Sequence, residues 1–245
     1  MKVLQDLVVA FQFLTRIPLP GNTHSQDSLA RAAKFFPLVG LVVALGAVGL
    51  HRVLSDHVAK PVMAALVLSY LVLITGGFHE DGLADVADGF GGGWSKEKIL
   101  AIMRDSRIGS FGALALGLSL LARYSLLSSL RPDKFTNYVI AAHVLCRWTT
   151  LPLSFFMPPA RQEGQGAGVA QRTSAWSLVL GTLLSLIICY LFMHQALWLP
   201  LGVAAAITLF TGLYYHSQIG GVTGDCFGAT NQLAEIAVYL CGVWA

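Results

Sequence analysis

The stretch "PVMAALVLSYLVLITGGFHEDGLADVADGFGG", residues 61 to 92, decides how this chain is to be read. Its first half carries no charge. Its second half crowds four of the chain's 13 acidic residues, Glu80, Asp81, Asp85 and Asp88, into nine positions. An apolar run of roughly 20 residues is what a helix needs to cross the hydrocarbon core of a bilayer. The acids therefore fall where the chain leaves the membrane.

The rest of the sequence supports that setting. Of its 245 residues 55% are hydrophobic and only 12% charged, with a mean hydropathy of +0.65, whereas soluble domains carry about a quarter charged residues. A net charge of +3 with no block of basic residues argues against a nucleic-acid partner. Cys146, Cys189, Cys226 and Cys241 are far apart and read as buried thiols rather than a disulfide frame or a CxxC metal site.

Seven apolar runs are predicted to span, at about 35–54, 61–78, 110–130, 135–157, 176–194, 197–215 and a short last run at 231–244. The N-terminal residues Leu4, Leu7, Val8, Phe11 and Leu14 recur at helical spacing and predict an amphipathic helix lying in the interface. No small-residue cleavage site follows, so this segment is expected to be retained. The expectation is an all-α integral membrane protein of about six to seven transmembrane helices plus an N-terminal interfacial helix, forming one polytopic domain over residues 1–245. The glycine-rich segment at 160–174 is expected to be a mobile surface loop.

Lysine and arginine placement orients this arrangement, because cytoplasmic loops hold the positive excess. Ten such residues fall on the side of the N-terminus and four on the opposite side, with Arg123 and Arg147 inside spans. The N-terminus and the polar segments at about 79–109 and 216–232 are then cytoplasmic.

On a helix, Asp81, Asp85 and Asp88 stand at i, i+4 and i+7 and share a face, with Glu80 about a quarter turn away. Such carboxylates repel one another unless a cation sits among them, and hard oxygen donors suit magnesium, manganese or calcium rather than zinc. A solvated acidic cap, or pairing with Arg104 and Arg107, is the alternative. Those two arginines, three apart, would form a forked cation for phosphate if helical. "GFGGGW" has Trp94 where the dinucleotide fingerprint has its third glycine, and no GxxxxGK[ST] occurs. In the second polar segment Asp225 is the sole acid, a candidate ligand or base, while Asn231 and Glu235 are one helical turn apart. His143 and Arg147 lie inside a span, and His24, His79 and His216 near membrane boundaries.

Taken in order, "FLTRIP" (13–18), "FFPLVG" (35–40), "GGFHEDGLADVADGFGG" (76–92), "DSRIGSFG" (105–112) and "GGVTGDCFGATNQ" (220–232) resemble the cobalamin synthase family, the adenosylcobinamide-GDP ribazoletransferases, over essentially the whole chain. The resemblance implies a magnesium-dependent enzyme of the prokaryotic cytoplasmic (inner) membrane that joins adenosylcobinamide-GDP to α-ribazole or its 5'-phosphate and releases GMP. On this reading Asp81 and Asp225 are catalytic, and Glu80, Asp81, Asp85 and Asp88 hold Mg2+. His79, Arg104, Arg107 and Asn231 contact substrate. A homo-oligomer, or association with other cobalamin-assembly enzymes, is compatible with it. The CDP-alcohol phosphotransferases are a weaker match, because Asp85 replaces the arginine expected after "DGLA". A cation transporter would instead carry acids within several spans, and spans three to six contain none. Reporter fusions at positions 95 and 222 are expected both to report cytoplasm; one on each side would overturn the topology.

Overall fold

The structure, a computed structural model, describes residues 2–20, 26–161 and 173–244. His24, Arg172 and most of the 160–174 segment lie outside them. Twelve α-helices follow in order: α1 (Lys2–Leu14), α2 (Gln26–Ala32), α3 (Phe36–Leu54), α4 (Lys60–Thr75), α5 (Phe78–Gly92), α6 (Lys96–Ile102), α7 (Ser110–Ser129), α8 (Pro132–Trp148), α9 (Thr150–Phe156), α10 (Ala175–Met193), α11 (Trp198–Ile219) and α12 (Gly224–Trp244). The predicted all-helical class holds among the described residues, whose single β-type pairing is an isolated bridge between Pro159 and Val222.

By length and apolarity four helical runs among the described residues can cross a membrane, 27–54, 110–129, 132–156 and 175–219, with a fifth if α4 and α5 count as one broken span. The expected six to seven are not confirmed among the described residues, for two physical reasons. The run at 175–219 is one 45-residue stretch, about twice what a bilayer needs. Non-helical backbone at His194, with φ of 49°, interrupts it. Gly181 of α10 and Gly212 of α11 both lie against side chains of α9, so the chain turns back between them. The last run is not a short apolar span. It begins at Gly224 as α12, carries Asp225, Asn231, Gln232 and Glu235, and is buried over most of its length.

The central helix is α8, whose residues from Tyr138 to Arg147 are all buried. On the outside of the bundle α7, α10 and α11 turn large apolar side chains outward, among them Phe111, Leu118, Leu183, Ile187, Leu209 and Phe210. Exposed apolar area on this scale is the surface a lipid environment covers. The N-terminal helix α1 is more than an interfacial rider. Its Asp6 is buried and held by Lys34 at 2.7 Å and Arg31 at 3.3 Å, which ties α1 to the entrance of α3.

Two glycines redirect the chain at the end of α4. Gly76 and Gly77 have φ of 69° and 70°, a left-handed conformation that glycine alone adopts cheaply. Their N–H groups cap the carbonyls of Leu73 and Val72. As a result α5 leaves at 86° to α4 and crosses one end of the bundle. There it packs on α12 through glycine: a Cβ on Gly82 would stand 2.9 Å from the Asp225 carbonyl and 3.3 Å from the Cα of Gly228. Such small-residue contacts let membrane helices approach backbone to backbone.

What fixes α5 in that pose is a buried ion pair network. Arg123 of α7 donates from Nη1 to Glu80 Oε1 at 2.6 Å and from Nε to Glu235 Oε1 at 2.9 Å. Nη1 also donates to Gln232 Oε1 at 2.9 Å, which accepts from Ser119 at 3.1 Å. Beside it, His143 of α8 contacts Arg147 Nη1 and the Tyr239 hydroxyl, each at 3.0 Å. A charge at this depth is tolerated only when paired.

The two polar segments, far apart in sequence, meet at one end of the bundle. A Cβ on Gly220 would lie 3.3 Å from the Lys96 ammonium.

Replacing Arg123 by Met strands Glu80 and Glu235, so a loss of about 3–5 kcal/mol is expected. It is read as a lower melting temperature in lipid nanodiscs. Gly82→Val should cost about 1–3 kcal/mol by overpacking the α5–α12 contact. Gly49→Ala, where nothing lies within 4 Å, should leave the melting temperature unchanged.

Candidate active site

The acidic face of α5 divides according to what each carboxylate meets. Glu80 points into the bundle and is committed to Arg123. Asp88 is buried and accepts from the backbone N–H groups of Gly109 at 2.7 Å and Gly112 at 2.8 Å. These are free donors at the start of α7, and a carboxylate satisfies them and complements the helix dipole. Asp81 is exposed and Asp85 half-buried. The charges that bear on Asp85 are Asp225, Asp81, Asp88 and Arg161. The structure thus brings Asp81, Asp85 and Asp225 together across the α5–α12 contact.

Asp225 stands in the first turn of α12 and accepts from Arg161 Nη2 at 3.0 Å and from the Thr223 hydroxyl at 3.2 Å. Burial pushes its carboxyl above the usual carboxylate range, Arg161 and Thr223 pull it back, and Asp81 adds to the rise. Thr223 meanwhile accepts from the Cys226 N–H, closing the start of the helix. Arg161 reaches Asp225 because a short backbone bridge fixes the preceding residues: Ala160 N–H donates to Val222 O and Val222 N–H to Pro158 O, both at 2.9 Å.

The remaining sequence candidates scatter. Arg104 and Arg107 are not on a helix, since α6 ends at Ile102 and residues 103–109 form a turn and loop. The expected forked pair is therefore absent, and Arg107 is clipped to Asp105 at 2.6 Å while largely exposed. It borders an open cleft of about 510 Å³ with Asp88, Gly109 and Ser110. His79 is buried, beside a small apolar cavity lined by Phe13, Phe36, Phe78 and Phe227. Asn231 is buried, and its Oδ1 has no hydrogen-bond partner among the described residues.

Ligand atoms of His143, Cys146 and Glu235 lie within 4.8 Å of one another. Arg147 Nη1 touches both His143 Nδ1 and Cys146 Sγ there. A guanidinium at that point excludes a cation. The acids near Asp225 are the better match to a hard metal, since magnesium is usually held by one or two carboxylates plus substrate phosphates. Asp81 and Asp85 leave carboxylate oxygens available on that side.

Reading the sequence missed Arg123 as the partner of Glu80, and Arg161 as the partner of Asp225. The first had a signal: a lone arginine inside an apolar helix must find an acid. The second had none, because Arg161 sits in a polar loop where cations are common.

Comparison with known proteins bears on the whole chain. The adenosylcobinamide-GDP ribazoletransferase of Ralstonia nicotianae is 40% identical over 243 residues, covering 96% of this chain and 93% of the relative. That of Mesorhizobium japonicum is 41% identical over 248 residues, covering 98% and 93%. A third, from Leptospira interrogans, is 37% identical over 243 residues, covering 94% and 92%. No solved structure matches significantly. The family model described as cobalamin-5-phosphate synthase matches residues 6–243. With the acids of α5 and α12 assembled at one end of a helical membrane bundle and relatives of this identity over nearly its full length, the chain belongs to the cobalamin-5-phosphate synthase family.

Proposed function

We propose that this chain joins adenosylcobinamide-GDP to α-ribazole or its 5'-phosphate, releasing GMP, at the end of the bundle where α5 crosses α12. One observation carries the reading: acids from two segments more than 130 residues apart, Asp81 and Asp85 on α5 and Asp225 on α12, come together there. The ligand expected among them is a magnesium ion, which when bound neutralises charge on the pyrophosphate and on departing GMP. Asp81 and Asp85 would hold it. Glu80 and Asp88, occupied by Arg123 and by the start of α7, hold α5 at the right height and angle for those two.

In the transfer a ribose hydroxyl of the ribazole attacks the phosphorus that stays on the corrinoid. One oxygen–phosphorus bond forms and the bond to the GMP phosphate breaks. Asp225 takes the hydroxyl proton; its burial and its acidic neighbour raise its proton affinity, which favours that role. Arg107 supplies positive charge at the rim of the open cleft, and Arg104 lies three residues before it in the same loop. His79 and Asn231 are buried within the helices that carry these acids. The excess of lysine and arginine expected on this side of the topology supports a reaction at the cytoplasmic face of the membrane.

The test is an assay of purified protein in lipid with adenosylcobinamide-GDP and α-ribazole, following GMP. Magnesium-dependent release is expected, and its absence overturns the reading. Asp81→Asn should lower turnover at least about a thousandfold, about 4 kcal/mol in the barrier, while keeping the wild-type melting temperature. Full activity in that variant refutes the metal role.

A further inference from the structure

We propose that Arg161 contacts the substrate, gripping a diphosphate oxygen with one guanidinium nitrogen while the other holds Asp225. This rests on the reading of the site given above, and it assigns the anion-binding cation within it. Arg161 Nη2 donates to Asp225 at 3.0 Å. Nη1 is buried and has no hydrogen-bond partner among the described residues. A guanidinium is charged at every accessible pH and cannot shed that donor by deprotonation. A buried charged N–H without an acceptor is unfavourable by more than an ordinary lost hydrogen bond. A stable fold keeps such a group where something else accepts from it.

The acceptor chemistry follows from the surroundings. Asp81, Asp85 and Asp225 repel a diphosphate, and Arg161 is the cation that shares their field. Its planar fork spans two oxygens at once, one on the carboxylate and one on phosphorus, a geometry that an ammonium cannot reproduce. The backbone behind it is held by the two hydrogen bonds between 158–160 and Val222, so the guanidinium is presented from a fixed point. Arg107, by contrast, is 87% exposed and already clipped to Asp105. The ligand class is a nucleoside diphosphate or its ester, and the contact aligns the phosphoryl group with the carboxylate that receives the proton.

GDP serves as the probe. Its binding to the full chain in lipid nanodiscs, measured by calorimetry with magnesium present, is to be compared for wild type, Arg161→Gln, Arg161→Lys and Arg131→Gln. One charge-assisted contact corresponds to about 10- to 100-fold in affinity. A loss of that size is expected for Arg161→Gln, a smaller loss for Arg161→Lys, and none for Arg131→Gln, whose arginine pairs with Asp133 at an exposed turn. In turnover Arg161→Gln should raise KM for the GDP-bearing substrate and lower kcat, with the lysine variant restoring part of both. Should Arg161→Gln not fold, the lysine variant carries the test. GDP affinity within twofold of wild type in both Arg161 variants overturns the proposal, as does a wild type that does not bind GDP. Unaltered turnover in Arg161→Gln overturns it while leaving the proposed reaction standing. GDP binding that depends on Arg161 without ribazole transfer upholds the contact and removes the reaction.

Discussion

A guanidinium buried inside an apolar helix sets the terms for the rest of this molecule. Arg123 sits in α7 with a side chain 1% exposed, and it reaches Glu80 of α5 and Glu235 of α12 at the same time. Its desolvation is tolerable only if both acids are in place. Neither acid can approach unless α5 lies across the end of the bundle and α12 runs up beside α7. The network therefore dictates the relative pose of three helices. It places the two acid-bearing segments against each other as a by-product of satisfying a charge.

Glycine makes that pose sterically open. The left-handed pair Gly76 and Gly77 produces the 86° change of direction, and Gly82 with Gly228 lets the two backbones touch. The two devices act differently. The turn determines where α5 goes, whereas the glycine contact determines how near Asp81 and Asp85 come to Asp225. Side chains at Gly82 or Gly228 would separate the acids without altering any of them. Close backbone approach is thus as much a part of the candidate site as the carboxylates are.

The helical class and the membrane setting were legible in the sequence, because apolarity and helical periodicity are local signals. The number of spans was less so. Hydropathy treats Asn231–Trp244 as an apolar run, but α12 starts at Gly224 and is mostly buried; burial in protein and in lipid leave the same mark on composition. The helical pairing of Arg104 and Arg107 failed for a different reason. Spacing tells which residues share a face only if the backbone is helical, and 103–109 is not. Long-range partners such as Arg123 with Glu80, or Arg161 with Asp225, depend on three-dimensional arrangement that no local window contains.

The crowding of four acids into nine positions now has a physical division. Glu80 faces the core and pairs with a cation, and Asp88 faces the start of α7 and pairs with backbone N–H groups. Both are held by α7, Glu80 by Arg123 and Asp88 by the N–H groups of Gly109 and Gly112, so α5 is fastened to one helix at two points along its length and cannot roll freely about its own axis. Pinning rotation is what keeps Asp81 and Asp85 turned toward Asp225. On a helix, residues at i and i+4 keep their face only while the helix as a whole cannot roll. A site that must hold anionic substrate near carboxylates tolerates little of that motion, since a misplacement of about 1 Å can cost a hundredfold in rate. The same run of sequence therefore supplies both the chemical groups and the anchors that aim them, which is why the acids occur together rather than spread along the chain.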